Sequence, residues 1–241
     1  MKKIFLSFLW LLPTAFVFAQ GIAPNPINQG KLNMASSDEA FRFVNAYDGR
    51  RKDLVGEVYF NDTLYHEGEL KTTKRLYTTE LQYRFNQVER TVQVKLTDGG
   101  KEMYINEKDI VYCKIMIEGK AITLVPAKVP NGRKITVLQV IYKSPNMQLY
   151  RDARKFIFRV KSNDIDGYSS EKVYDEVRKD YRYFLRVGDS GEFTEVKTTA
   201  KSFAQALPEK RSQIELLFKI GKKKEGLTVT KLSEIMAQLD K

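Results

Sequence analysis

Residues 91–125 read TVQVKLTDGGKEMYINEKDIVYCKIMIEGKAITLV, and this stretch decides the fold class. Runs rich in β-branched and aromatic residues at 91–96, 103–105, 110–117 and 121–125 are broken by Asp98-Gly99-Gly100 and Glu118-Gly119-Lys120. Both breaks carry residues that tolerate a left-handed backbone, as tight hairpin turns require. A turn every 8–12 residues or so predicts an antiparallel meander.

The pattern extends both ways. Upstream, Val55, Glu57 and Tyr59 alternate with Gly56, Val58 and Phe60, Asn61-Asp62 marks a turn, and Leu81, Tyr83 and Phe85 continue the strand signal. Downstream of Pro130-Asn131-Gly132, strands are expected at 135–142, 147–150, 156–160, 181–187 and 193–196. Residues 161–180 are polar, with Asn163, Asp164, Asp166, Gly167, Ser169 and Ser170. They read as a long solvated loop with room for one helical turn near 171–177.

From 198 onward the period becomes helical. Phe203, Ala206 and Leu207 stand at i, i+3, i+4, Pro208 suits a first helical position, and Ile214, Leu217 and Phe218 form the next stripe. Thr228 or Thr230 caps a last helix with Leu232, Ile235, Met236 and Leu239 on one face. Near the other end, Ser37 before Asp38 and Glu39 predicts a short helix over 38–47. The expected fold is therefore α+β and mainly β: antiparallel meander sheets, a short N-terminal helix, and two or three short C-terminal helices. The segments are a leader and helix at 20–53, a β-rich domain at 54–197 with sub-sheets at 54–126 and 135–197, and a helical segment at 198–241.

Residues 1–19 read as a secretory signal peptide. Lys2 and Lys3 precede an apolar run over 4–18, and Val17-Phe18-Ala19 ends in a small residue. The run falls short of the roughly 20 residues that span a bilayer, and no Cys near the cleavage point offers a lipid anchor. Removing Lys2 and Lys3 takes the formal charge from +11 to +9.

Composition removes several chemistries. One cysteine, Cys113, permits neither an internal disulfide nor a Cys-rich zinc site, and one histidine, His66, excludes sites built from two or three imidazoles. Cys113 lies in an alternating apolar run and reads as a small buried hydrophobe on a strand. No Gly-rich phosphate loop, HExxH or CxxC is present.

Gly188-Asp189-Ser190-Gly191 matches the start of the GDSGG signature of chymotrypsin-like serine proteases, and His66 and Asp109 precede Ser190 in that family's order. Glu192 replaces the second glycine, however, and the same four residues make an ordinary hairpin turn. A calcium loop with Gly167 at its sixth position would start at Ser162 and end at Val173, where the essential bidentate Glu is missing. No catalytic, cofactor or metal residue is expected.

Basic residues cluster at Lys71-Lys74-Arg75, at Arg151-Arg154-Lys155-Arg159 and at Lys222-Lys223-Lys224, and aromatic residues interleave in Tyr181-Arg182-Tyr183-Phe184. These clusters read first as ordinary surface solvation; behind a signal peptide, the partners that would match a functional basic face are anionic envelope components or another envelope protein, not nucleic acid.

Several segments in order carry a resemblance. They are Leu138-Gln139-Val140-Ile141-Tyr142, then Gln148-Leu149-Tyr150, a Tyr-Phe strand and Gly-containing hairpin over 183–195, Leu207-Pro208-Glu209-Lys210, and a Leu-rich helix ending near Leu239. Over 68–240 the chain resembles a family of small uncharacterised exported proteins of Bacteroidota-type bacteria. The resemblance implies an envelope location and brings no known activity or catalytic residues. The expected function is thus that of an exported, non-catalytic envelope protein, binding or structural. The alternative is a hydrolase with a carboxylate or Ser190-based site.

Protein isolated from its native envelope is expected to begin at Gln20. N-terminal sequencing or intact mass checks this, and a retained Met1 contradicts it.

Overall fold

Alternating apolar residues need a sheet face to bury, and two antiparallel sheets supply it. The computed structural model describes residues 41–43, 54–130, 132, 135–162, 172–221 and 227–241. The smaller sheet has the order β1-β7-β6-β5, from β1 (Phe41–Phe43), β5 (Leu81–Asn86), β6 (Thr91–Leu96) and β7 (Met103–Ile105). The larger contains β3 (Gly68–Thr72), β4 (Leu76–Tyr77), β8 (Ile110–Ile117), β9 (Lys120–Ala127), β10 (Thr136–Lys143), β11 (Met147–Ser162), β12 (Lys172–Val187) and β13 (Thr194–Val196). Their order is β13-β12-β11-β10-β9-β8-β3-β4, and β2 (Leu54–Val55) lies parallel to β12.

Directly opposed residues in neighbouring strands share a face. One such rung crosses all eight strands: Tyr77, Leu70, Cys113, Leu124, Gln139, Arg151, Tyr183 and Val196. Its first four members pack against Tyr83, Phe85, Val92 and Val94 of the smaller sheet. Tyr183 and Val196 belong to a second core, where Met147, Leu149 and Leu185 lie beneath the C-terminal helices. The rung is apolar at one end, polar in the middle and largely apolar again at the other.

Three short helices cover that second core: α1 (Ala200–Ala206), α2 (Arg211–Gly221) and α3 (Val229–Leu239), with a 3-10 turn at Pro208–Lys210. Thr199 and Thr228 cap α1 and α3, each accepting a backbone N–H with its hydroxyl, from Ser202 and Lys231. Leu232, Ile235, Met236 and Leu239 are all buried, and the Phe203 and Phe218 rings meet at 5.1 Å. The Tyr142 hydroxyl donates to Asp240 at 2.7 Å, tying the end of α3 to β10. Among the described residues no helix is long and apolar enough to cross a membrane.

Residues 56–60 alternate as a strand would but keep only an isolated bridge from Tyr59 to Asn86, and the structure departs from the sequence-based expectation in three further places. Residues 41–43, expected inside a helix over 38–47, form β1, with Phe41 opposite Ile105 and Phe43 opposite Met103; the rest of that span lies outside the described residues. The reason is a tertiary partner, since two buried apolar side chains on β7 favour an extended Phe-Arg-Phe over an isolated helical turn.

The polar stretch 161–180, expected as a loop with a helical turn near 171–177, is strand on both sides of 163–171. β11 and β12 pair without interruption from Met147↔Val187 to Ser162↔Lys172. Cross-strand pairs replace apolar burial there: Arg154 with Asp180, and Arg178 lying 4.1 Å from the Phe158 ring centre. The expected strands at 147–150 and 156–160 are accordingly one strand. Finally, the sub-sheets expected at 54–126 and 135–197 are not separate, because β9 pairs with β10 across the break.

Leu239, the last residue of α3, is fully buried against the second core. Leu239→Ala is expected to lower stability by about 2–5 kcal/mol, measured by denaturant unfolding; parent-like unfolding would mean that α3 is not anchored.

Candidate functional site: a cationic cleft at the seam between two cores

A strand sorts its residues by parity, so the basic cluster of β11 is divided between two faces. Arg151 and Lys155 stand on the face that carries Leu149, whereas Arg154 stands on the other and pairs with Asp180. Arg151 falls at the seam, beyond the helices that cover Met147 and Leu149 and short of the smaller sheet that covers Leu124.

Residues 56–60 form a strap across this face. Leaving β2 at the edge, the strap pairs with the β5–β6 hairpin through Phe60 N–H to Phe85 at 2.9 Å and Gln87 N–H to Val58 at 3.0 Å. Gly56 opens it with φ +108°, and a Cβ there would approach the Val177 Cβ to 3.1 Å. The Lys155 ammonium donates to the carbonyls of Glu57 at 2.6 Å and Tyr59 at 2.7 Å and so holds the strap down. On the far side, Gln87 accepts the Lys155 backbone N–H at 3.0 Å and donates its amide to the Ala153 carbonyl at 2.5 Å.

Strap, hairpin and seam enclose a cleft of about 520 Å³, lined among others by Phe60, Asn61, Arg151, Lys155, Lys179 and Tyr181. Three cations face it against the single carboxylate residue Glu57. Arg151 is 8% exposed. Its Nε and Nη2 donate to one neutral acceptor, the Gln139 Oε1, at 2.9 and 2.5 Å. Its guanidinium carbon lies 4.8 Å from the Tyr181 ring centre and 5.6 Å from that of Phe60. Lys155 is equally buried, and burial holds its ammonium below the usual lysine range, with Glu57 opposing the shift and Lys179 adding to it.

A second concavity of about 490 Å³ beside Glu67, Glu69 and Lys114 lacks this imbalance. There the Glu69 carboxylate accepts from Tyr112 and Lys114, which hold it below the usual glutamate range.

The residues singled out as a triad do not assemble. His66 Nε2 lies 2.8 Å from Asp62, not Asp109, and its backbone pairs with Tyr83. Asp109 turns its backbone to Thr73 and Asn106. Ser190 is exposed in the β12–β13 turn, where Gly188 takes φ +67° and Asp189 accepts from Gln148 at 2.7 Å; no hydrogen bond joins Ser190 to His66.

Asp164, Asp166 and Gly167 of the calcium-loop candidate, and Lys222-Lys223-Lys224, lie outside the described residues, as does the whole of 1–40. Ser162 and Val173 are strand residues. Among the described residues no group of three His, Cys, Asp or Glu side chains could hold a metal ion. Cys113 is fully buried on β8 in the first core, and burial pushes its thiol up. Of the cleft residues, the sequence marks Arg151 and Lys155 as part of a basic cluster and Tyr181 as an aromatic residue interleaved with basic ones. For Arg151 and Lys155 the spacing of four on a strand was the available signal; Phe60, Lys179 and Gln139 carried none. Comparison with protein-family models, curated proteins and solved structures finds no match to this chain.

Ser190→Ala is expected to leave stability within about 0.5 kcal/mol of the parent, and serine-directed covalent probes are expected not to label the protein. Labelling that disappears with His66→Ala would establish the triad instead.

Proposed function

We propose that this protein is an exported, non-catalytic binding protein of the bacterial envelope, and that its ligand carries an anionic group that docks at Arg151. The observation that carries the reading is a guanidinium more than nine-tenths buried whose side-chain hydrogen bonds end on a neutral amide. A buried charge left without a counter-charge costs several kcal/mol, which a carboxylate or phosphate oxygen in the cleft would offset. Lys179, on the same face, adds long-range attraction that salt screens over about 8 Å at physiological strength. The resemblance to exported Bacteroidota-type proteins and the signal-peptide pattern of 1–19 support the envelope location. His66 paired with Asp62, and Ser190 in an open turn, favour binding over hydrolysis.

Ligands that bind only the folded state raise the melting temperature by mass action. Citrate at low salt is expected to raise that of the parent and of Lys201→Gln, an exposed helix residue remote from the cleft. Arg151→Gln is expected to lose most of the shift. Equal shifts in all three proteins would mean a diffuse charge effect and no site.

A further inference from the structure

The cleft opens onto an unfinished sheet edge. β2 ends opposite Glu176 and β13 ends opposite Tyr183, so residues 177–182 separate the two outer partners of β12. Backbone groups in an antiparallel pair point alternately toward and away from the partner strand. Gly188 N–H donates to Asn146, one step beyond the register pair Met147↔Val187, so even-numbered residues of β12 turn toward β11. The same parity sends the Lys155 N–H and the Ala153 carbonyl away from β12, where Gln87 meets both. Lys179 and Tyr181 therefore direct N–H and C=O outward, where no strand pairs with them among the described residues. Their side chains line the cleft. The two residues whose outward backbone groups meet no strand among the described residues thus also flank Arg151.

We propose that the ligand is an acidic polypeptide segment that adds in extended form to the edge of β12 at Lys179 and Tyr181, with a carboxylate seated at Arg151. This rests on the anionic-ligand reading above and names its class. Strand addition draws affinity from main-chain hydrogen bonds and specificity from alternate side chains, and both features are present. A residue opposite Tyr181 on the cleft face would stand about 5 Å away between Cβ atoms, within reach of a guanidinium stacked on that ring. Sugar stacking is disfavoured, because Arg151 already lies against Phe60 and Tyr181. Pairing with a second copy is opposed by charge, since it would bring Lys179 and Arg151 of one chain against cations of the other.

The test uses short labelled peptides of alternating glutamate and valine, read by fluorescence anisotropy with the full chain at low salt. Backbone N-methylation of one of the two alternating residue sets is expected to weaken binding by about tenfold or more, and methylation of the other set to spare it. Lys179→Pro removes both the charge and an N–H not shared with β11, and is expected to weaken the peptide beyond Lys179→Gln, which loses the charge alone, while the two variants give equal citrate responses. The methylated peptides decide the question should the proline variant fail to fold. If methylation of neither set weakens binding, or if oligogalacturonate or phosphatidylglycerol vesicles bind as tightly as the peptide, strand addition is overturned and the anion site stands. If neither citrate nor any peptide binds, the anion site falls with it.

Discussion

Gln139 and Arg151 face each other in the middle of a rung that crosses eight strands, with Leu124 and Cys113 on one side and Tyr183 and Val196 on the other. The rest of the architecture depends on this polar interruption. One continuous sheet face has two covers, a second small sheet and a helical cap, and each buries its own apolar cluster. A guanidinium resists complete desolvation, so the two covers meet at a gap instead of a fused core. Gln139 accepts from the Arg151 Nε and Nη2, the rings of Tyr181 and Phe60 lie against the guanidinium, and Arg151 lines the cleft.

Parity explains why the neighbouring acids among the described residues do not pair with that guanidinium. Asp152 follows Arg151 directly, yet a strand turns it to the opposite face, where Arg90 meets it at 2.7 Å. Burial raises its pKa, and Arg90, Arg154 and Arg182 oppose the shift. The acids Asp180 and Glu195 are likewise engaged there, by Arg154 and Arg182. The far face of the hairpin is thus largely self-compensating, while the cleft face keeps an excess of cations.

Much of the fold was legible because local chemistry and tertiary structure agree. Glu118-Gly119 forms its hairpin turn with both residues at positive φ, Thr228 caps α3, and the Leu232, Ile235, Met236, Leu239 stripe is buried as its period requires. Legibility failed where stability comes from a partner strand instead of from pattern. Residues 172–180 look like loop because charged residues fall at both odd and even positions and break the alternation, yet their backbone is fully paired with β11. Phe41 and Phe43 likewise became strand through Ile105 and Met103, which lie sixty or more residues on.

The sequence by itself determined an antiparallel β protein with a helical C-terminal cap, the burial of Cys113, and the absence of multi-histidine or multi-cysteine metal sites, because composition and periodicity are local properties. Only the tertiary structure decided which cations share a face. Arg151, Lys155 and Lys179 converge because β11 and β12 pair in one register and a strap anchored at Gly56 crosses them. A slip of one residue between β11 and β12 would send Lys179 to the face opposite Arg151 and Lys155. Register is set by contacts between distant segments, and no window of sequence contains it.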